Sequence, residues 1–356
     1  MPTSHFRIEA VLARAWLSRG LLACLLWPLS LVFRSLVAIR RYLYKAGVLK
    51  STRLRVPVVV VGNIFIGGTG KTPFVIWLVD VLRQAGYRPG VISRGHGSLS
   101  GSAPCLPQHV TSESAPLDVG DEPVLIAMRA RCPVVVGRER VAAAQALLAA
   151  YPEIDVIVSD DGLQHYALAR DVEIVLFDGR GAGNGWLLPA GPLREPVSRR
   201  RDFTVVNAEQ APAGMADQVI HMQLSGAIAE RLSDRSQRAT LTSIAAASGR
   251  PDNGDAPDRI VAAAGIGNPG RFFSQLRDAG LIFREMPLAD HYDFSLNPFA
   301  DLQADMILVT EKDAVKCVRI DGLKQDPRLW VVPVTAHIAA GPAAQILEKL
   351  RGCSTT

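Results

Sequence analysis

The N-terminal region of this 356-residue chain lacks an uncharged apolar run long enough to cross a bilayer. Its longest such run is Gly20–Phe33, fourteen residues with Pro28 inside, where a spanning helix needs about 20. Cysteine is sparse: Cys24, Cys105, Cys132, Cys317 and Cys353 are odd in number and never spaced C-x-x-C. A disulfide framework and a zinc ribbon are thereby disfavoured, and a reducing compartment fits. Acid is nearly missing from the first 55 residues, where Glu9 stands alone against ten Lys and Arg. That region carries a surplus of nine positive charges; since the whole chain carries +5, the remainder is net negative by four. Nucleic-acid binders gather their basic residues on a folded face. Here the basic residues ride on an apolar arm, which points to a membrane surface and away from DNA or RNA. Trp16, Trp27, Phe33, Tyr42 and Tyr44 suit a headgroup boundary, and the arginines between them attract anionic lipid. A core helix is the alternative for this arm. A secretory signal is a third reading, but no small-residue cleavage site follows and the sequence leads into more basic residues.

What the chain does have is a strand, Val56–Gly62, running into Asn63-Ile64-Phe65-Ile66-Gly67-Gly68-Thr69-Gly70-Lys71-Thr72, followed by a helical pattern. Closely spaced glycines let backbone N–H groups curl around a polyphosphate, because no Cβ blocks the turn. Residues 65–70 form the cradle, Lys71 is placed to reach the β- and γ-phosphates, and Thr72 offers its hydroxyl to Mg²⁺. The helix that follows points its positive end at the anion. A phosphate-binding loop usually has a small residue where this chain has Phe65, so the loop belongs to an atypical subclass. Partitioning-type switch ATPases place a second lysine just before the Gly-Gly pair, where this chain has Ile66.

After the loop, Pro73–Ala85 has apolar residues at helical spacing, and Pro89–Ser93, Val134–Gly137, Val156–Ser159, Glu173–Phe177 and Phe203–Asn207 read as strands. Glu122–Arg131 and Glu139–Ala150 read as helices between them; Ser98–Val119 has no period and reads as a loop or an irregular hairpin. The alternation predicts an α/β fold: a P-loop NTPase-like parallel sheet domain, a second and smaller α/β domain, and an N-terminal membrane-associating helix. The division expected is an arm at 1–50, the P-loop domain at 51–224, a connection at 225–259 that carries short strands and the turn residues Arg250–Gly254, and the smaller domain at 260–356.

Three acidic sites carry candidate chemistry. Asp160-Asp161 ends an apolar strand, where a carboxylate can hold the Mg²⁺ that bridges nucleotide phosphates; a solvated turn is the plainer reading. Asp121, at a loop-to-helix junction, is equally an N-cap or a base for an attacking hydroxyl. Asp290-His291-Tyr292 falls in a loop of the second domain, where an aspartate beside a histidine can set its tautomer and charge, or where the histidine is simply structural.

Together these segments resemble the tetraacyldisaccharide 4′-kinases of lipid A biosynthesis over nearly the whole chain. The resemblance rests on Val61-Gly62-Asn63, Gly67–Pro73, Ser93-Arg94-Gly95-His96-Gly97, Val119–Pro123 and Ser159–His165. It continues through Leu188–Pro196, Asp290-His291 and Val309–Lys316. It implies transfer of the γ-phosphate of ATP, with Mg²⁺, to the 4′-hydroxyl of a tetraacylated glucosamine disaccharide 1-phosphate, giving lipid IVA at the cytoplasmic face of the inner membrane. On that likeness Lys71 and Thr72 serve phosphates and metal, Asp160 and Asp161 the metal region, Asp121 the base and His291 its support. Arg94 and Arg194 are candidate contacts to the anionic head group, and no obligate protein partner is evident. His96 stands where the family more often has Tyr, and Tyr292 where a second His is common. The alternative from another class is a membrane-attached P-loop switch ATPase that controls a partner protein.

Overall fold

The computed structural model describes residues 15–95, 106–212, 215, 219–247 and 259–353. His96, Gly97, most of the 98–119 loop's first half and the turn Arg250–Gly254 lie outside them. Contacts divide the chain into two compact units. The first comprises the described residues up to Ser93, Glu139–Gln223, and those from Ile338 onward; the second comprises those of Arg94–Arg138 and Leu224–His337.

In the first unit, the strands Ile220–Ser225, Phe203–Asn207, Val172–Asp178, Val58–Asn63, Val156–Asp160 and Pro89–Ser93 lie side by side in that order, every pairing parallel. Val58–Asn63 sits at the centre and is buried at every position, which is why its Val-rich stretch does not alternate with polar residues. The helix Lys71–Gln84 buries Phe74, Val75, Leu78, Val79 and Leu82, the apolar stripe expected from its spacing. Helix Arg140–Ala150 packs Leu147 so closely on Pro89–Ser93 that a Cβ on Gly90 would come within 2.8 Å of it. A larger residue there would have to displace the side-chain ends of Leu147 and Ile154.

Ahead of this sheet runs a 25-residue helix, Leu21–Lys45, in which only Ala23 and Ser30 are buried. It is not a core helix: Leu25, Leu29, Leu36 and Ile39 are all exposed. It is also longer than the fourteen-residue uncharged run implied, because it continues through Arg34, Arg40 and Arg41. In length and composition it could cross a membrane. One narrow face docks on the unit. Ser30 Oγ donates to the carbonyl of Leu187 at 2.7 Å, and the rings of Trp27 and Trp186 and of Tyr44 and Tyr166 pack in pairs.

The second unit has a six-stranded sheet ordered Arg238–Thr240, Ile228–Arg231, Leu329–Val332, Met306–Thr310, Ile260–Ala264, Arg284–Pro287. Its first two pairings are antiparallel and the other three parallel. One face buries Phe294, Phe299, Val309 and Val331; the other buries Phe272, Phe273, Leu276 and Leu308. Helices Asp121–Ala130 and Glu311–Cys317 pack on each other.

This grouping differs from a linear division at 224 and 259. Residues 94–138 belong with the second unit, and the closing helix Ala340–Cys353 belongs with the first. The stretch expected as a connection with short strands does supply two, Ile228–Arg231 and Arg238–Thr240, but they belong to the second sheet, and the helix Leu241–Ala247 follows them. Edge strands such as Arg284–Pro287, mostly exposed, and Gln108–Val110 carry too few buried positions to be read as strands from apolar patterning.

Candidate functional site

The first cluster lies in the first unit, at the C-terminal ends of its central strands, where ligands of open α/β sheets bind. Gly67 and Gly70 adopt positive φ, 100° and 91°, conformations that cost a residue with a Cβ. Gly70 immediately precedes the helix Lys71–Gln84, so Lys71 and Thr72 occupy its first turn. Lys71 Nζ donates to Asn63 Oδ1 at 2.9 Å and lies 3.7 Å from Asp161 Oδ1. Thr69 is fully buried and its Oγ1 has no hydrogen-bond partner, an orphaned hydroxyl inside the loop.

Phe65 does not obstruct the cradle. Its ring is buried under the guanidinium of Arg180, whose carbon lies 4.3 Å from the ring centroid. The Ile66 amide donates to Pro192 O at 3.0 Å, so that amide is committed within the protein. Of the eight residues expected to meet nucleotide, 65 and 66 therefore anchor the loop, and 67–72 form its open part. Arg194 N donates to Ile64 O at 2.7 Å, fixing the Pro192–Arg194 segment alongside.

Asp160 ends the strand Val156–Asp160, 1 % exposed, with Ser93 Oγ donating to its Oδ2 at 3.0 Å. Asp161 takes φ 48°, turning out of the strand, and its carboxylate lies near both Lys71 and Arg194 Nη1 (3.6 Å). The donors here are carboxylate and hydroxyl oxygens, the hard ligands that Mg²⁺ takes. Of the two expected head-group arginines, Arg194 joins this cluster, and Arg94 follows Ser93 as the first residue of the second unit.

The second cluster lies wholly within the second unit. Asp121 opens the helix Asp121–Ala130, 2 % exposed. The N-cap position itself is Gly120, which has no side chain to cap with, although Asp121 Oδ1 accepts from the next amide, Glu122 N–H, at 2.9 Å. Its Oδ2 is 3.0 Å from His291 Nδ1 and 3.5 Å from Lys316 Nζ. His291 sits at φ 57°, with its backbone N–H donating to Gly265 O. Asp121 and His291, expected in separate domains, are thus neighbours in one unit.

The electrostatics follow from this crowding. Burial pushes the Asp121 carboxyl up, but the charge of Lys312, the His291 hydrogen bond and charge, and Lys316 outweigh it and hold the group well below the usual carboxylate range. The Asp121 hydrogen bond raises His291 above its ordinary value against the effect of burial. Burial lowers Lys312, yet Glu122, Asp121 and Asp290 outweigh it and push the amine up. Lys312 and Lys316 sit four residues apart on Glu311–Cys317, the spacing that places two side chains on one helix face. Sequence reading missed them as site residues, although that spacing was visible. Asn63, Arg180 and Asn207 were also missed, and no periodicity announces them.

A family model described as Tetraacyldisaccharide-1-P 4′-kinase matches residues 22–351. A tetraacyldisaccharide 4′-kinase of Janthinobacterium sp. (strain Marseille) is 63% identical, covering 99% of each chain. One from Bordetella parapertussis is 47% identical over 93% of each. Among solved structures, LpxK from Aquifex aeolicus in complex with ATP matches with a TM-score of 0.73 at 27% identity. That match covers 93% of this chain and all of the other.

Proposed function

The chain belongs to the tetraacyldisaccharide-1-P 4′-kinase family, and from that premise we propose which of its residues carry the reaction. It is an ATP-dependent kinase of lipid A biosynthesis that phosphorylates the 4′-position of a tetraacyldisaccharide. The switch-ATPase alternative has no support among these relatives.

The observation that carries the site assignment is the loop: glycines at positive φ, then a helix N-terminus with Lys71 held between Asn63 and Asp161. We assign residues 67–70 to the ATP phosphates through their amides, Lys71 to the β/γ-phosphates and Thr72 to the metal. Mg²⁺ fits the oxygen donors Thr72, Asp160 and Asp161. When bound it neutralises the charge of the transferring phosphoryl group. Lys71 and the helix N-terminus stabilise the same charge from the protein side. The bond that forms joins the 4′-oxygen to the γ-phosphorus, the bond that breaks releases ADP, and the hydroxyl proton goes to a base.

For that base we assign the Asp121–His291 pair. In the first reading Asp121 accepts the proton and His291 supports it. A second reading is favoured by the near-complete burial of Asp121 and its strongly stabilised charge, which make it a weak proton acceptor. There Asp121 binds Nδ1–H and orients the ring, and His291 accepts the proton on Nε2, the logic of a Ser-His-Asp triad.

The membrane assignment rests on the helix Leu21–Lys45. Its exposed leucines suit lipid, and its basic residues suit an anionic surface. It touches the first unit from Ala23 to Tyr44, about 31 Å along its axis at 1.5 Å per residue. That equals the thickness of a hydrocarbon core, so a spanning pose would carry the irregular backbone of Asn184–Pro189 that docks on it into lipid. We therefore place the helix on the surface, on the cytoplasmic side where ATP is found. A substrate with four acyl chains stays in the bilayer, at about 0.8 kcal/mol per buried methylene, and the enzyme must come to it.

The test is transfer from radiolabelled ATP to the disaccharide lipid with Mg²⁺ present. Lys71→Ala and Thr72→Ala are expected to lose most of the rate, since removing one transition-state donor costs on the order of 10²–10³-fold. Near-normal turnover in either variant, with its fold intact, would overturn the loop assignment.

A further inference from the structure

Four of the loop's carbonyl groups are bonded by side chains. Asn63 Nδ2 donates to Phe65 O and to Gly67 O, the latter at 2.9 Å. Arg180 Nη2 donates to Gly68 O at 3.2 Å, and Asn207 Nδ2 to Thr69 O at 3.0 Å. These residues come from three adjacent strands. Asn63 ends one; Asp178 ends its neighbour and holds Arg180 through both carboxylate oxygens; Asn207, the register partner of Asp178, ends the third. Arg180 is further fixed by lying on the ring of Phe65, which gives the atypical aromatic residue a purpose.

A peptide group is planar and trans, so its C=O and the N–H of the following residue point opposite ways. Carbonyls of 67, 68 and 69 tied to one side turn the amides of Gly68, Thr69 and Gly70 to the other. Among the described residues none of these three amides donates to a protein acceptor. They are donors presented together beside a helix N-terminus, an arrangement that binds anions.

We propose that Arg180 and Asn207, with Asn63, are positioning residues for ATP: they hold the loop carbonyls outward so that its amides are set for the phosphates before nucleotide arrives. This rests on the assignment of the loop to ATP. Without the three side chains the loop must be ordered by the nucleotide itself, and affinity falls by the share of molecules in the competent form. Asn63 also anchors Lys71, so Arg180 and Asn207 give the cleaner test.

The experiment measures KM for ATP and for the lipid disaccharide in detergent micelles, together with direct titration of a fluorescent ATP analogue. The variants are Arg180→Met, Asn207→Ala, Asn207→Asp and Lys71→Ala. Arg180→Met keeps an apolar cover on Phe65 and loses the guanidinium donors together with their ion pair to Asp178. Asn207→Asp keeps the shape and replaces the donor with an acceptor. Expected for Arg180→Met is a rise of about 10-fold or more in the KM for ATP and in analogue dissociation, the scale of one hydrogen bond from a charged group, with the lipid KM within about 2-fold. Asn207→Asp should be at least as impaired as Asn207→Ala, whereas a residue that merely fills space predicts the reverse order. Because Asn207 is buried and its variants can fail to fold, partly exposed Arg180 keeps the proposal open to refutation. Analogue binding by Arg180→Met equal to the parent's, or a parallel rise in both KM values, overturns the proposal. If Lys71→Ala loses transfer while the Arg180 and Asn207 variants bind ATP normally, the positioning idea alone fails. If Lys71→Ala also transfers normally, the loop assignment fails with it.

Discussion

At the residue scale, the Asp121–His291 pair makes opposite demands on pH. Asp121 titrates below its ordinary 3.8, so its stabilising interactions are complete above that value and lost as pH falls through the depressed one. His291 titrates above its ordinary 6.5, so its contribution is complete below that value and lost as pH rises through the raised one. If His291 Nε2 is the base, the rate should fall on the acid side with an apparent pKa above 6.5. Asp121→Asn, removing the group that raises it, should move that limb to lower pH. If Asp121 is the base, it stays ionised across the accessible range and no such limb appears. Losses of about 10²–10⁴-fold are expected for either single alanine variant, and the double variant should lose less than their product, since residues acting as a unit are not additive. A capping role alone predicts the loss of about 1 kcal/mol of stability with chemistry retained. A pH–rate profile and a melting temperature on the same variants separate these accounts. The phosphate loop was legible in the sequence because its residues are consecutive. The roles of Asp121 and His291 were not legible from spacing, because 170 residues separate them; the family likeness alone paired them, and the fold brings the two side chains into contact.

At the element scale, the N-terminal helix shows what composition can and cannot reveal. Its charge surplus and aromatic residues were plain in the sequence, but its length was not. Counting uncharged residues stopped at Phe33, whereas helix geometry tolerates Arg34 and Arg40 because both are exposed. Which face docks follows from small residues at closest approach, Ala23 and Ser30, seven apart, nearly two turns. This separates two kinds of substitution. Leu25→Ser, Leu29→Ser and Leu36→Ser together should lower binding to anionic vesicles, each fully buried leucine contributing about 1.5–3 kcal/mol, and leave the melting temperature unchanged in detergent. Ser30→Leu should do the reverse, overpacking the contact with Leu187 at a cost of about 1–3 kcal/mol while retaining membrane binding. Vesicle co-sedimentation and thermal melts read the two effects separately. If the leucine variant co-sediments like the parent protein, the helix is not the anchor.

At the scale of the whole molecule, the strand–helix alternation was legible but the assignment of segments to units was not. Apolar spacing reports that an element is buried, and says nothing of which sheet buries it. The chain leaves the first unit after Ser93, returns at Glu139, leaves again at Leu224 and comes back at Ile338. A linear reading places the last helix with the segment just before it. The structure instead ties Ala340–Cys353 to the first unit, with Ile346 and Leu350 completely buried and Lys349 bonded to Asp202. The consequence is measurable. Ile346→Ala and Leu350→Ala should each cost about 2–5 kcal/mol, as buried large-to-small changes do, and the loss should appear in the unit that carries the phosphate loop. Native-state hydrogen exchange should then show faster opening of strands Val172–Asp178 and Phe203–Asn207, with Ile260–Ala264 and Met306–Thr310 exchanging as before. ATP should recover part of the lost stability, since a ligand that binds only the folded form stabilises it by mass action. Faster exchange confined to Ile260–Ala264 and Met306–Thr310 would instead return the last helix to the second unit, as its position in the chain implies.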